Sequence, residues 1–432
     1  MRRFSLSEYL RAAALAGAVA PGYLIRPYLG RKHIERFQYS RIKRLLHHAY
    51  ERSPFYREKY ANAGIHPNDF RSLRDLAFFP CVTKGELVDA IEAGALPGAN
   101  RFIESVSSGS SGKVIRVSHD VKDTHAYAVG RYRILNMLGN YRPMDRTLYV
   151  YTSEFPARSF FGFYRSWFVS TLNDINDTID RMLKLRPHVL CIYPSHLLEL
   201  IRHISSAQAQ SLRLKLISLN SEMSSRSQRK MLSEYFGCPV LDEYSSEELG
   251  WVATECQHGT YHVWEDMAYL ETLDRASGAR RISGEITGTN LHNFATPFIR
   301  YRQGDMGSLS EGLCMCGRKT LQLDGLLGRQ NDSFLLDGQT LTPAYLLDTV
   351  YEMLLVDRLP IADFCLIQES PSAVRMQIIP AKNAGPDLEL AVSRGLARFL
   401  PSNTRIEIEV TDKLLKTRTG KRNPIISAIG KR

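Results

Sequence analysis

Between residues 100 and 250 short strand-like runs alternate with helical stretches, and this alternation restricts the fold more than any other feature. Phe102–Val106 reads as a strand, residues 121–138 carry helical spacing, and Thr147–Thr152 is a strand again. Val189–Tyr193, Ser195–Ile204, Leu214–Leu219 and Ser224–Phe236 continue as strand, helix, strand and helix. Strands that return through helices run parallel, so the stretch predicts an α/β core with at least one largely parallel sheet.

The flanks have other characters. Residues 30–93 read as helices, with apolar positions at three- and four-residue spacing in IERFQYSRIKRLLHHAYERS. Residues 250–310 become short strands with turns, an antiparallel, barrel-like pattern. After Gly328 a unit of about 100 residues reads strand, helix, strand, strand, helix, strand, an α+β pattern. We therefore expect an N-terminal domain over 1–328 (mainly helical over 1–95, α/β over 100–250, barrel-like over 250–328). A small C-terminal domain, 329–432, follows a hinge near 329–332.

The 432 residues carry 56 Lys and Arg against 45 Asp and Glu, a net charge of +11. That balance suits acidic substrates, an anionic membrane face or nucleic acid, but no zinc-finger or RRM signature accompanies it. The basic residues crowd into GRKHIERFQYSRIKRLLHH and LLKTRTGKRNPIISAIGKR. Ile34, Phe37, Ile42, Leu45 and Leu46 thread the first, which reads as an amphipathic helix with a solvated face. No apolar run reaches the roughly 20 residues of a membrane span. The stretch LSEYLRAAAL favours an amphipathic helix over a secretory signal. Seven cysteines are an odd number in a chain this long, which points to a reducing, cytoplasmic setting over a disulfide framework.

The most telling local feature is FIESVSSGSSGKVIRVSHD. Ser107, Ser108, Ser110 and Ser111 surround Gly109 and Gly112, and Lys113 closes the run. Glycines let the backbone approach a polyphosphate, while hydroxyls and the lysine supply donors and charge. The Walker pattern fails, since Ser107 stands at its first glycine and Val114 at its Ser/Thr. Val114, Ile115 and Val117 continue as a strand, whereas a P-loop opens a helix.

SSGSSGK resembles the phosphate loop of the adenylate-forming superfamily (acyl-CoA synthetases, adenylation domains, luciferases), and further blocks follow in that family's order. DEYSSEELG, 242–250, is similar to its Tyr-Gly-x-Thr-Glu block, and IRYRQGDMG, 299–307, to Tyr-Arg-x-Gly-Asp. GRQNDSFLLDGQTLTP, 328–343, is similar to the hinge block, and LLKTRTGKRNP, 414–424, to the block with the catalytic lysine. SPFYREKYANAGIHPNDFRSLRDLAFFPCVTKGEL resembles the opening of phenylacetate–CoA ligases.

The resemblance implies residue roles. The 107–113 loop, including Lys113, would hold the departing phosphates, and Glu248 would bind Mg²⁺. Tyr244 would pack on adenine, with Ser221 and Glu222 beside the nucleotide. Asp305 would take the ribose hydroxyls and Arg329 would reach the ribose and phosphates. Lys421 would meet the carboxylate and α-phosphate when a mobile C-terminal lid closes about Asn331. The chain departs from the pattern at Ser245, Glu247 and Asn331. Glu247 beside Glu248 makes the metal ligand ambiguous, and register with Gly250 favours Glu248.

The implied reaction joins a carboxylic acid to ATP as an acyl-adenylate, then to coenzyme A. One alternative passes the acyl or adenylyl group to an amine, carrier protein or other metabolite; another is a non-catalytic basic binding module. His125, Tyr127, Tyr193 and Asn220 are candidates to line the acid pocket, and relatives suggest a homodimer.

A second pattern is metal-like. ECQHG sets Cys256 two residues from His258, and GLCMCGR sets Cys314 two from Cys316. Three thiolates and one imidazole suit a structural, tetrahedral Zn²⁺ site. His262 is the competing imidazole, and free thiols are the alternative to a metal.

Overall fold

The computed structural model describes residues 17, 20–97, 103–106, 115–119, 121–152, 163–329, 332–414 and 422–429. The side chains of residues 103, 104, 106 and 121–125 lie outside that description. The chain forms two compact units, each assembled from two stretches: Met1–Tyr141 with Glu243–Asp324, and Arg142–Asp242 with Gly325–Arg432.

The first unit opens with the helix Arg31–Arg52, which buries Ile34, Gln38, Ile42, Leu45, Leu46 and Ala49. Ser53 caps the helix Pro54–Asn62. Thr83 and Glu86 form a capping box on Lys84–Glu92, satisfying amide donors the first turn leaves open. Ile103–Val106 and Arg116–His119 pair antiparallel, Val106 opposite Arg116, so the Ser/Gly run joins two strands as its flanks predict. The loop itself, residues 107–113, lies outside the described residues. The helix Val121–Gly139 follows.

Antiparallel strands complete this unit. Ala268–Leu273 pairs with Ser283–Asn290, and that strand with Tyr301–Ser310. Gly250–Glu255 pairs with Tyr261–Val263 and with Val240–Ser246. The antiparallel character matches the expectation for 250–310. A closed barrel is not seen among the described residues, where Ala268–Leu273 is an edge strand. Val240–Ser246 and Gln322–Arg329 each contain a point at which the chain passes from one unit to the other.

In the second unit Thr147–Tyr151, Ser166–Ser170, Val189–Ile192 and Leu216–Asn220 form the predicted parallel sheet. Val189–Ile192 and Leu216–Asn220 are buried throughout, so they read as continuous apolar runs rather than alternating ones. The helix Ile175–Leu185 and strand Ser166–Ser170 add to the sequence expectation. The C-terminal stretch builds a second sheet with order Arg405–Val410, Ala373–Pro380, Ile361–Ser370, Ile425–Ser427. The helices Pro343–Val356 and Leu388–Ala397 accompany it.

One apolar cluster runs through both stretches of this unit, joining Leu190, Ile217 and Phe236 to Phe334, Leu346 and Leu366. Phe334 has no exposed surface. Phe334→Ala should lower stability by about 3–5 kcal/mol, from lost transfer energy and the cavity left behind. Urea denaturation of the full chain measures this, and a change under 1 kcal/mol would contradict it.

Candidate functional site

The carboxyl ends of the parallel strands concentrate polar side chains, which is where open α/β sheets bind ligands. Tyr151 ends its strand and stacks on Tyr193, ring centroids 5.4 Å apart. Asn220 donates to the Tyr151 hydroxyl at 2.7 Å, and the Ser221 hydroxyl donates to Asn220 at 3.1 Å. Ser221 has φ +66°, a left-handed conformation unusual for serine and of the strained kind that collects at ligand sites.

Glu222 follows directly. Its carboxylate accepts from the Ser195 amide at 2.9 Å and hydroxyl at 2.9 Å, and from the Arg422 amide at 2.8 Å. Withdrawal from solvent pushes its pKa up, against those three donors. Arg422 also pairs through its guanidinium with the buried Asp363. The residue after Lys421 is thus tied at its backbone and its side chain. Lys421 itself, Asn331 and the loop Ser107–Lys113 lie outside the described residues, as does the His125 side chain. Arg329 ends its strand and is exposed.

The other unit holds four of the predicted residues, Tyr127, Tyr244, Glu248 and Asp305. Tyr244 is buried, and its hydroxyl donates to Asp305 at 2.8 Å while accepting from Gln303 at 2.8 Å. Glu248 is buried and accepts from the Tyr301 hydroxyl at 3.2 Å, whereas Glu247 is exposed. Asn290 donates to the Glu248 carbonyl at 3.0 Å and to the Tyr127 hydroxyl at 3.1 Å. Tyr127 therefore belongs with Glu248, and Tyr193 with Asn220; each pair sits in its own unit. The roles of Tyr151, Gln303, Tyr301 and Asn290 were not found from sequence, although Gln303 and Tyr301 stand inside the quoted IRYRQGDMG block.

The thiols converge, but on a different imidazole. Cys256, His262, Cys314 and Cys316 bring their ligand atoms within 4.8 Å of one another. Cys256 and Cys314 sulfurs are 3.7 Å apart, and Cys316 Sγ lies 3.2 Å from His262 Nε2. A tetrahedral ion with bonds of about 2.3 Å would set its sulfurs roughly 3.8 Å apart. His258, expected as the ligand from its spacing, lies in an exposed turn. Its backbone amide reaches Cys256 Sγ at 3.4 Å instead. His262 is fully buried on the strand Tyr261–Val263. Burial, then the charge of Arg318, pushes its pKa down to about 4, so the imidazole is neutral at pH 7 with a lone pair to offer.

No family model matches the chain. It is 29% identical over 331 residues to the phenylacetate–coenzyme A ligase of Escherichia coli K12, covering 72% of this chain and 75% of that one. The phenylacetate–coenzyme A ligase of Aromatoleum evansii is 26% identical over 405 residues, covering 88% and 89%. This chain is a homologue of the phenylacetate–coenzyme A ligases. Its fold is that of solved acyl-CoA ligases. The solved 2-hydroxyisobutyryl-CoA ligase in the postadenylation state, in complex with R3-HIB-AMP, superposes with a TM-score of 0.79. It shares 19% identity and covers 94% of this chain and 92% of its own. That ligase in the thioesterification state, with 2-HIB-AMP and CoA, gives 0.63 at 20% identity, covering 93% and 91%.

Within the Glu248–Gly250 segment, Gly250 is the residue that geometry requires. It has φ +72°, and a Cβ there would meet the Tyr127 ring at 2.5 Å. Gly250→Ala should destabilise the protein by about 2 kcal/mol, combining backbone strain with displacement of Tyr127. Thermal or chemical unfolding tests this, and an unchanged midpoint would refute it.

Proposed function

We propose that the protein is an AMP-forming acid–thiol ligase that activates a carboxylic acid with ATP and transfers the acyl group to coenzyme A. The observation that carries this reading is the meeting of Tyr244, Asp305 and buried Glu248, which belong to blocks far apart in sequence, in one unit. In the first step a carboxylate oxygen attacks the α-phosphorus and the bond to pyrophosphate breaks. In the second a thiolate attacks the acyl carbon and AMP leaves. Both steps bring anions together, so fixed cations and dipoles supply most of the rate.

Asp305, an acceptor-only carboxylate oriented by Tyr244, takes the ribose hydroxyls. Glu248 would hold Mg²⁺, being a hard oxygen donor, and the ion would supply positive charge against the phosphates. Ser107–Lys113 takes the polyphosphate. Tyr193 and Asn220, which belong to one unit, border the acid, and an aromatic ring with a small polar group suits an aryl or short acyl acid. Lys421 contacts the reacting carboxylate and α-phosphate, and the C-terminal domain from 329 swings about Asn331 between steps. Glu222 serves this arrangement by holding the Arg422 amide, one residue from Lys421.

Lys421→Ala should slow acid-dependent pyrophosphate exchange by roughly a hundredfold or more while thioester formation from supplied acyl-adenylate stays near wild type. Glu222→Ala should slow the exchange roughly tenfold, as expected for one charge-assisted hydrogen bond, again sparing the second step, and Glu222→Gln should recover part of it. Equal loss in both half-reactions would refute these roles. AMP release independent of coenzyme A would refute the acceptor.

The cluster of Cys256, His262, Cys314 and Cys316 suits a structural zinc ion. The donor set is the thiolate-rich kind zinc favours, and four protein ligands leave no open position for chemistry. The purified protein should carry one equivalent of zinc, and chelation should lower its melting temperature. Cys256→Ser and His262→Ala should lose the metal, and His258→Ala should keep it. Zinc retained by His262→Ala but lost by His258→Ala would reverse the ligand assignment.

A further inference from the structure

Among the described residues of the first unit four arginines are buried: Arg131, Arg133, Arg300 and Arg318. The first three meet carboxylates, those of Glu243, Asp266 and Glu271. Arg318 breaks the pattern. Its side chain is 4% exposed, and Nε and Nη1 are both buried without a hydrogen-bond partner. The Trp264 ring centroid lies 5.5 Å from its guanidinium, and Arg133 takes the same ring at 4.0 Å. An indole quadrupole attracts a cation but supplies no net negative charge. A guanidinium is charged throughout the range in which proteins fold, and a buried charge without a counter-charge is strongly destabilising. Arg318 therefore calls for an anion close by.

The thiol cluster is the neighbour with such a charge to offer. Arg318 follows Cys316 by two residues, and its backbone amide donates to that sulfur. The same relation repeats at the other two thiols. The Cys316 amide donates to Cys314, and the His258 amide donates to Cys256 Sγ at 3.4 Å. Each sulfur of the cluster thus accepts from the amide two residues further on, a set of donors suited to metal-bound thiolates. The spacing that makes His258 resemble a ligand is explained by this amide. A zinc ion with three thiolates and the neutral His262 imidazole sums to a single negative charge. That is equal and opposite to the charge of Arg318.

We propose that Arg318 is the counter-charge of the metal centre, a positioning residue that binds no zinc itself but neutralises the three-thiolate, one-imidazole site and retains the ion in it. The inference rests on the zinc reading above and adds a residue that is not among the ligands. It accounts for a buried guanidinium that free, uncharged thiols would leave stranded, and for the absence of a carboxylate beside it where the other buried arginines of this unit have one.

Zinc release from the full-length, zinc-loaded protein into excess chromogenic chelator tests the assignment. Arg318→Met should release zinc about tenfold faster than wild type or more, the scale on which outer-shell partners of metal ligands act. Arg318→Lys keeps the charge and should recover most of the retention. Lys319→Met, an equal charge change at the exposed next residue, should release at the wild-type rate. A second measurement reads the sign of the effect. Arg318→Met should lower the melting temperature of the zinc-loaded chain, yet raise that of Cys314→Ser/Cys316→Ser, where the anion is gone. The release rates decide alone if the double serine variant does not fold. Release from Arg318→Met at the wild-type rate, or a fall in melting temperature in both backgrounds, would overturn the proposal. Wild type purified without zinc would overturn the zinc reading and this inference with it. A zinc-loaded wild type whose retention is indifferent to Arg318 would overturn the inference alone.

Discussion

Buried guanidinium–carboxylate pairs are the constraint on which the first unit depends. Asp266 meets Arg26 and Arg133, Glu271 meets Arg280 and Arg300, and Glu243 meets Arg131, all with carboxylates almost fully shielded from water. Such pairs add modest net stability, because desolvation offsets much of the attraction, but losing one partner leaves a charge stranded. Their value here is registration. Arg300 precedes Tyr301 and the segment to Asp305; its guanidinium binds Glu271 on the strand Ala268–Leu273 and also the carbonyls of Ala77 and Phe79. The start of the strand carrying Asp305 is thereby tied both to the sheet and to the segment before Pro80.

The second unit solves a different problem with the opposite materials. Its center is apolar, and the two stretches that compose it share one hydrophobic cluster. Apolar contacts are non-directional, so they permit a surface to slide, and the specific ties among the described residues include Glu222 to the Arg422 amide and Asp348 to the Ser227 amide at 3.2 Å. A proposed lid that must leave one half-reaction for the other is better served by such an interface than by the buried ion pairs of the first unit. Arg422 pairs with Asp363 inside the C-terminal stretch itself, so that contact travels with it.

Much of this was legible in the sequence, and the exceptions share a cause. The parallel strands showed as apolar runs because burial on both faces leaves a local signature, and the C-terminal elements fell within a few residues of their observed bounds. The helix Ile175–Leu185 was passed over although Asp174 caps it, accepting from the Asn176 amide; the left-handed Arg186 that ends it has no glycine to announce it. His258 was preferred to His262 because a two-residue spacing imitates a metal loop, whereas the imidazole is supplied by strand pairing, Thr254 opposite His262. The pairs Arg133–Asp266 and Tyr244–Asp305 join residues too far apart in sequence for any local pattern to expose. Two of the three passage points between units, after Asp242 and after Asp324, fall inside strands, where no change of composition marks them.

The Tyr244–Asp305 contact bears on the chemistry in a way position alone does not. A carboxylate has about four acceptor sites, and the tyrosine hydroxyl occupies one on Oδ2. Gln303 donates to the same hydroxyl, which leaves the tyrosine proton directed at Asp305. The carboxylate is therefore oriented by the hydroxyl before any diol arrives. In the proposed reaction this is preorganisation: the group that grips the ribose need not rotate into place, and its ring neighbour is the same tyrosine that would lie against the base. Replacing the hydroxyl would remove the orientation but spare the ring, so sugar and base recognition would separate at one residue.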